Sequence, residues 1–119
     1  MKWYLAKIVY RIICGEGDHA PQFDEQLRLI YASDESGAFE KAASIGRTEE
    51  ETFYNQKRQL VKWQFVNVSE LYHMSELIDG AELYSTINEV GDAEAYITFV
   101  NHKAESIQHR KTQHMLNLI

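Results

Sequence analysis

The segment Cys14-Gly15-Glu16-Gly17-Asp18-His19 holds the residue types closest to covalent chemistry. A thiol near an imidazole suits a nucleophile whose proton passes to the histidine. The two glycines could bring backbone amides close to an anion. Against this, Cys14 continues an apolar alternation, as a small buried hydrophobe would, and the rest reads as a flexible hairpin tip. A second group, His102, Glu105 and His109, falls within about 60° on one helix face. Two imidazoles and a carboxylate so placed could ligate zinc or another transition metal. They lie opposite Ile97, Val100, Ala104 and Ile107, so a solvated face is expected. A third group comprises Asp24, Glu25, Glu70, Asp79, Glu82 and Glu89, of which any two brought together could do general acid–base work. Glu25 shares the odd positions of its segment with Phe23, Leu27 and Leu29, so alternation turns it toward the core. There it needs a partner such as Arg11 or Lys7 and takes a shifted pKa; a bulge or strand end would leave it in water instead. The sequence has no Walker loop, dinucleotide fingerprint, Cys-x-x-Cys or Gly-x-Ser-x-Gly elbow. None of the three groups selects a reaction, and no cofactor is expected.

The elements that would position these groups follow from periodicity. Residues 2–14 read as a long strand, with Tyr4, Ala6, Ile8, Tyr10, Ile12 and Cys14 on one face. The other face mixes Trp3, Leu5, Val9 and Ile13 with Lys7 and Arg11. Residues 15–21 form a turn-rich connection. Residues 22–32 are a second strand, with Phe23, Leu27, Leu29 and Tyr31 on one side and Asp24, Gln26 and Arg28 on the other. Adjacency makes the pair a hairpin. Ser33 or Asp34 caps a helix over about 34–45 that Gly46 ends. Residues 48–54 fit either a helix start or a strand. Residues 59–72 form a strand in which Val61, Trp63 and Phe65 share a face while Val66 and Val68 fall on the other; a bulge near Phe65 would let both sets pack inward. Asp79-Gly80 is a turn, 81–90 a further strand, and a long helix begins near residue 93. The order ββα-ββ(β)-α specifies an α+β fold: an antiparallel sheet of four to five strands with two helices packed on one face, as a single domain over 1–119.

Composition narrows the partners. The chain has 119 residues, 45% hydrophobic and 25% charged, with a net charge of −6. Those fractions are ordinary for a globular protein. An acidic balance disfavours nucleic acid and anionic membrane, which bind through clustered Lys and Arg. The densest basic groups, Lys57-Arg58 and His109-Arg110-Lys111, read as solvated surface. One cysteine excludes an intramolecular disulfide and suits a reducing compartment. Lys7 and Arg11 interrupt what would otherwise resemble a signal-peptide core, and no apolar run reaches membrane-span length, so a cytoplasmic location is expected.

Four stretches carry a family resemblance: Lys2-Trp3-Tyr4-Leu5-Ala6-Lys7, Gln22-Phe23-Asp24-Glu25-Gln26-Leu27-Arg28-Leu29, Trp63-Gln64-Phe65-Val66-Asn67-Val68 and Asp79-Gly80-Ala81-Glu82-Leu83-Tyr84-Ser85. Together they resemble the small bacterial proteins of domain-of-unknown-function family 4288, over roughly residues 2–107. The resemblance implies a bacterial origin and a compact α+β domain. It implies no activity and no functional residues.

The surplus of apolar side chains is the remaining functional signal. Trp3, Leu5, Val9 and Ile13 stay exposed if helices cover only the opposite face, and Met115, Leu116, Leu118 and Ile119 make an apolar C-terminal end. Such patches mark interfaces. The sequence therefore points to a non-enzymatic binding or protein-interaction module, working as a homodimer and open to another protein partner. Two alternatives stand beside it: an acidic inhibitor of the immunity type that caps a basic toxin, and a small-molecule-binding protein or enzyme with a site near the 15–21 hairpin.

Overall fold

Alternation along the first strand governs the architecture, because Tyr4, Ala6, Ile8 and Tyr10 leave water together. The computed structural model describes the backbone of residues 1–118 and the side chains of residues 1–110. Its elements are β1 (Lys2–Cys14), β2 (Gln22–Ala32), α1 (Glu35–Thr48), β3 (Glu51–Tyr54), β4 (Leu60–Met74) and α2 (Ala93–Leu118). The strands form one antiparallel sheet in the order β2-β1-β4-β3. The chain divides into two compact units, Met1–Ser85 and Thr86–Ile119. The second unit carries α2, a helix of 26 residues.

In the first unit, α1 lies on the face of the sheet formed by Tyr4, Ala6, Ile8 and Tyr10 of β1, Ile30 and Ala32 of β2, and Val68 of β4. Its contributions to the core are Ala38, Ala42 and Ala43, side chains small enough to bring the helix axis close to the strands. Trp63, Phe65, Leu71 and Ile45 close the margins. Asp34 is the N-cap: its side chain accepts from the Gly37 N–H at 2.8 Å, satisfying one of the free donors of the first turn.

Gly46 does not end α1, as its type suggests; the helix runs two residues further, to Thr48. The glycine is there for close approach. A Cβ at this position would lie 2.5 Å from Cδ1 of Phe65 and 3.1 Å from Cζ, and closer still to Cε1. The ambiguous 48–54 stretch divides into the helix end and the short edge strand β3. The bulge expected near Phe65 is present, with a second one beside it. The β1–β4 register shifts between Val9 and Tyr10, where Val66 is the extra residue, and between Lys7 and Ile8, where it is Ser69. The shifts put Phe65 and Val68 on the helix side together and turn Val66 out to solvent.

Residues 81–90 form no strand. Alternating apolar residues are not sufficient when no edge takes up their backbone groups. Tyr84 packs instead edge-on against Tyr72, with ring centroids 5.5 Å apart.

Candidate functional site

At the β1–β2 turn, Gly15 and Gly17 adopt positive φ, which lets the chain reverse immediately after Cys14. His19 then folds back on the strand end. Its Nε2 accepts from the Cys14 N–H at 3.0 Å, and its Nδ1 lies 2.9 Å from the Ala20 carbonyl oxygen. Both ring nitrogens are thus used, with Nδ1 as the donor. The Nε2 lone pair that a general base would offer the thiol is committed to the backbone. The Cys14 thiol lies 3.6 Å from the Gln59 side-chain oxygen and 3.5 Å from Asn55 Nδ2, both on the β3–β4 side. Cys14 and His19 do line a common depression with Gln22 and Gln59. What the structure brings together there is a brace for the hairpin, not a nucleophile and its base.

Glu25 is in water, but not because of a bulge, since the β1–β2 register is unbroken from Lys2↔Ala32 to Ile12↔Gln22. The odd positions of β2 face away from α1, so Glu25 stands on the open face of the sheet beside Val9. Lys7, one of its expected partners, pairs instead with Glu70 at 2.8 Å, directly across the β1–β4 ladder. Each group holds the other in its charged form. The Glu70 carboxyl sits below its ordinary pKa, chiefly through Lys7 and then the Tyr72 hydroxyl, while Lys7 is raised above its own. His102, Glu105 and His109 line a shallow depression on α2 with Ser106 and Arg110. Among the described residues, no three His, Cys, Asp or Glu side chains form a group that could hold a metal.

The polar positions of β2 face α1 and build a cleft of about 340 Å³ that the sequence did not reveal. Trp63 Nε1–H and Gln26 Nε2–H both donate to Oδ2 of Asp24, at 3.0 and 2.7 Å. Arg28 donates from Nε and Nη2 to Gln26 Oε1 and forms an ion pair with Glu49 at 2.6 Å through Nη2. Glu50 accepts the Phe65 N–H at 2.9 Å. At the floor, the buried Tyr10 hydroxyl donates to the Gly46 carbonyl at 2.8 Å. Burial raises the Tyr10 pKa, and Glu49 adds to the effect. Its proton therefore stays in place at neutral pH. Chemically the cleft is a chain of donors and acceptors running from Trp63 through Asp24, Gln26 and Arg28 to Glu49, and Phe53 stacks on the Trp63 ring.

The opposite, open face of the sheet is apolar where β2 crosses it. Phe23, Leu27, Leu29 and Tyr31 are each between 40% and 54% exposed. Trp3, in contact with the Tyr31 ring at 4.7 Å between centroids, is half-buried, as are Val9 and Ile13. Leu5, expected on this exposed patch, is buried within its own chain at 4% exposure. It lies between Leu29 and Tyr72 in the ladder, where Tyr84 covers Tyr72. The side chains of Met115, Leu116, Leu118 and Ile119, expected to complete an interface, lie outside the described residues.

A family model described as a domain of unknown function, DUF4288, matches residues 3–85. The chain belongs to the DUF4288 family. The match ends where the first compact unit ends, short of the extent suggested by the resemblance, and leaves α2 outside it. No curated protein and no solved structure shows significant similarity to the chain. No helix among the described residues is long and apolar enough to cross a membrane. The DUF4288 unit thus holds both the cleft and the open face. Sequence reasoning missed Arg28, Glu49 and Trp63 as a group because they are brought together by three different elements. The polar run Asp24, Gln26, Arg28 on alternate residues was the available signal, once the sheet side it faces is known.

Proposed function

We propose that this DUF4288 protein is a non-enzymatic protein-interaction module of the cytoplasm that works as a homodimer, docking through the open face of its sheet. One observation carries the reading: along β2, Phe23, Leu27, Leu29 and Tyr31 stand about half exposed in a row on a face that α1 does not reach. Exposed apolar patches of this kind mark interfaces, and closed two-fold pairing is the commonest way a single kind of chain covers one. The chemistry-bearing groups support the same reading, since Cys14, His19 and Tyr10 are engaged in holding the fold. The single cysteine suits a reducing compartment.

The test is the mass in solution. Light scattering at micromolar concentration is expected to give twice the chain mass of 13.9 kDa. Leu29→Lys, a change on a half-exposed side chain, is expected to halve that mass while the circular dichroism spectrum stays native. A wild-type protein that remains strictly monomeric refutes the proposal.

A further inference from the structure

The edge of the sheet specifies how two copies would meet, an inference that rests on the homodimer reading above. β2 is an outer strand of 11 residues with one side of its backbone unpaired in the order β2-β1-β4-β3. An unprotected edge of that length is a template for a further strand. Two side chains on it are half-satisfied. Both donors to Asp24 go to Oδ2, leaving Oδ1 with no partner among the described residues. Arg28 uses Nε and Nη2, leaving Nη1 with none among the described residues. Four residues apart on one extended strand, about 13 Å, the two cannot reach each other.

We propose that two copies of this chain pair antiparallel along their β2 edges, with the two-fold axis at Gln26, forming a continuous eight-stranded sheet. In that register Asp24 of each copy stands opposite Arg28 of the other, on the same face, and the carboxylate oxygen left over by Trp63 and Gln26 meets the guanidinium N–H left over by Gln26 and Glu49. On the open face, Phe23 stands opposite the other copy's Leu29, so the two apolar rows become one. Directly opposed side chains of unlike charge, and aromatic–aliphatic pairs, are the contacts that stabilise a ladder. No like charges oppose each other: Glu25 stands against Leu27. The second copy fits better than an unrelated strand because the segment from Phe23 to Leu29 is complementary to its own reverse, apolar at both ends, Asp against Arg within, and Gln at the centre.

Crosslinking and charge reversal test the register on the full chain. In a Cys14→Ser background, Gln26→Cys is expected to give a disulfide-linked dimer under mild oxidation, because residues on the axis lie about 4.5–5.5 Å apart between Cα atoms. Asp24→Cys, about 13 Å from its counterpart, is expected to stay unlinked. Asp24→Arg is expected to halve the mass seen by light scattering with native circular dichroism, and Asp24→Arg combined with Arg28→Asp to restore the dimer. A dimer that fails to crosslink at residue 26, or that survives Asp24→Arg, overturns the edge pairing and leaves the homodimer reading standing. A wild-type monomer overturns both.

Discussion

Replacing Gly46 by alanine tests whether the helix-to-sheet distance is set by one missing methyl group. The new Cβ would sit 2.5 Å from Cδ1 of Phe65 and 3.1 Å from Cζ, inside van der Waals contact. To relieve this, the ring or the helix end must move by about 1 Å. Neither is free to do so. The Phe65 ring packs edge-on against Tyr10 with 6.1 Å between centroids, and its backbone N–H is held by Glu50. The helix end is tied down by the Tyr10 hydroxyl on the Gly46 carbonyl. Overpacking of this kind costs about 1–3 kcal/mol, whereas alanine is favoured over glycine within a helix by about 1 kcal/mol. The expected net effect is a loss of up to about 2 kcal/mol, which would lower the melting temperature by up to about 10 °C in a domain of this size. Urea denaturation followed by circular dichroism reads it directly. The decisive arm is Phe65→Ala, which removes the obstructing ring. In that background Gly46→Ala should become neutral or stabilising, since the helix preference alone remains. If Gly46→Ala stabilises the wild-type protein, or costs the same with and without the Phe65 ring, the close-approach account is wrong.

Tyr10→Phe removes the donor that satisfies a carbonyl of the last turn of α1 and leaves it buried; it is expected to cost about 1–2 kcal/mol in the same denaturation assay. The Lys7–Glu70 pair sets a pH dependence at both extremes. Glu70 is held below its ordinary 4.5, so its contribution is present above that value and is lost as pH falls through the folded-state pKa; Lys7 is raised above 10.5, so its contribution is lost as pH rises past that value. Glu70→Gln is accordingly expected to lower the melting temperature at neutral pH and to flatten its fall below pH 4.5, so that variant and wild type converge in acid.

The fold was legible where one physical rule decides a segment. β1 alternates from Tyr4 to Cys14, and β2 from Phe23 to Leu29 with Glu25 as the exception, which marks both as strands but leaves open which side of β2 meets the helix. Asp34, followed by a run of alanines at helical spacing, announces α1. Legibility failed where a residue type has two uses. Glycine both ends helices and admits close neighbours, and the sequence around Gly46 does not say which; the answer lies in Phe65, nineteen positions away. Residues 81–90 carry a strand pattern, but a pattern alone does not pair a backbone, and Tyr84 is engaged by the Tyr72 ring instead. The site failed for the same reason. Cys14 and His19 are indeed neighbours, yet the His19 lone pair is taken by a backbone N–H that no motif encodes. Arg28, Glu49 and Trp63 come from β2, the end of α1 and β4, so their meeting is visible only in three dimensions.

β2 has the polarity of a strand facing the wrong way for a two-layer domain. Between Phe23 and Leu29 its apolar side chains Phe23, Leu27 and Leu29 turn from the helix and Asp24, Gln26 and Arg28 turn toward it, the reverse of β1 beside it, and only Ile30 and Ala32 at its end join the core. A slip of one residue in the β1–β2 register would exchange the two sets and put Phe23, Leu27 and Leu29 under α1. That slip is blocked at both ends of the hairpin. The turn after Cys14 is fixed by two positive-φ glycines and the His19 brace, and the Trp3 ring packs at a tilt against Tyr31 at the other end. It is also blocked in the middle, where Asp24 and Arg28 would lose Trp63 and Glu49. The structure therefore specifies, by several independent contacts, a register that leaves a row of apolar side chains in water. Full burial of an apolar side chain is worth about 1.5–3 kcal/mol, of which about half remains to be gained by side chains already half buried. A chain that holds four of them outward through this many constraints has a surface that gains from contact with apolar neighbours, and β2, as an open edge, is where a second copy can pair its backbone and lay its own apolar row alongside.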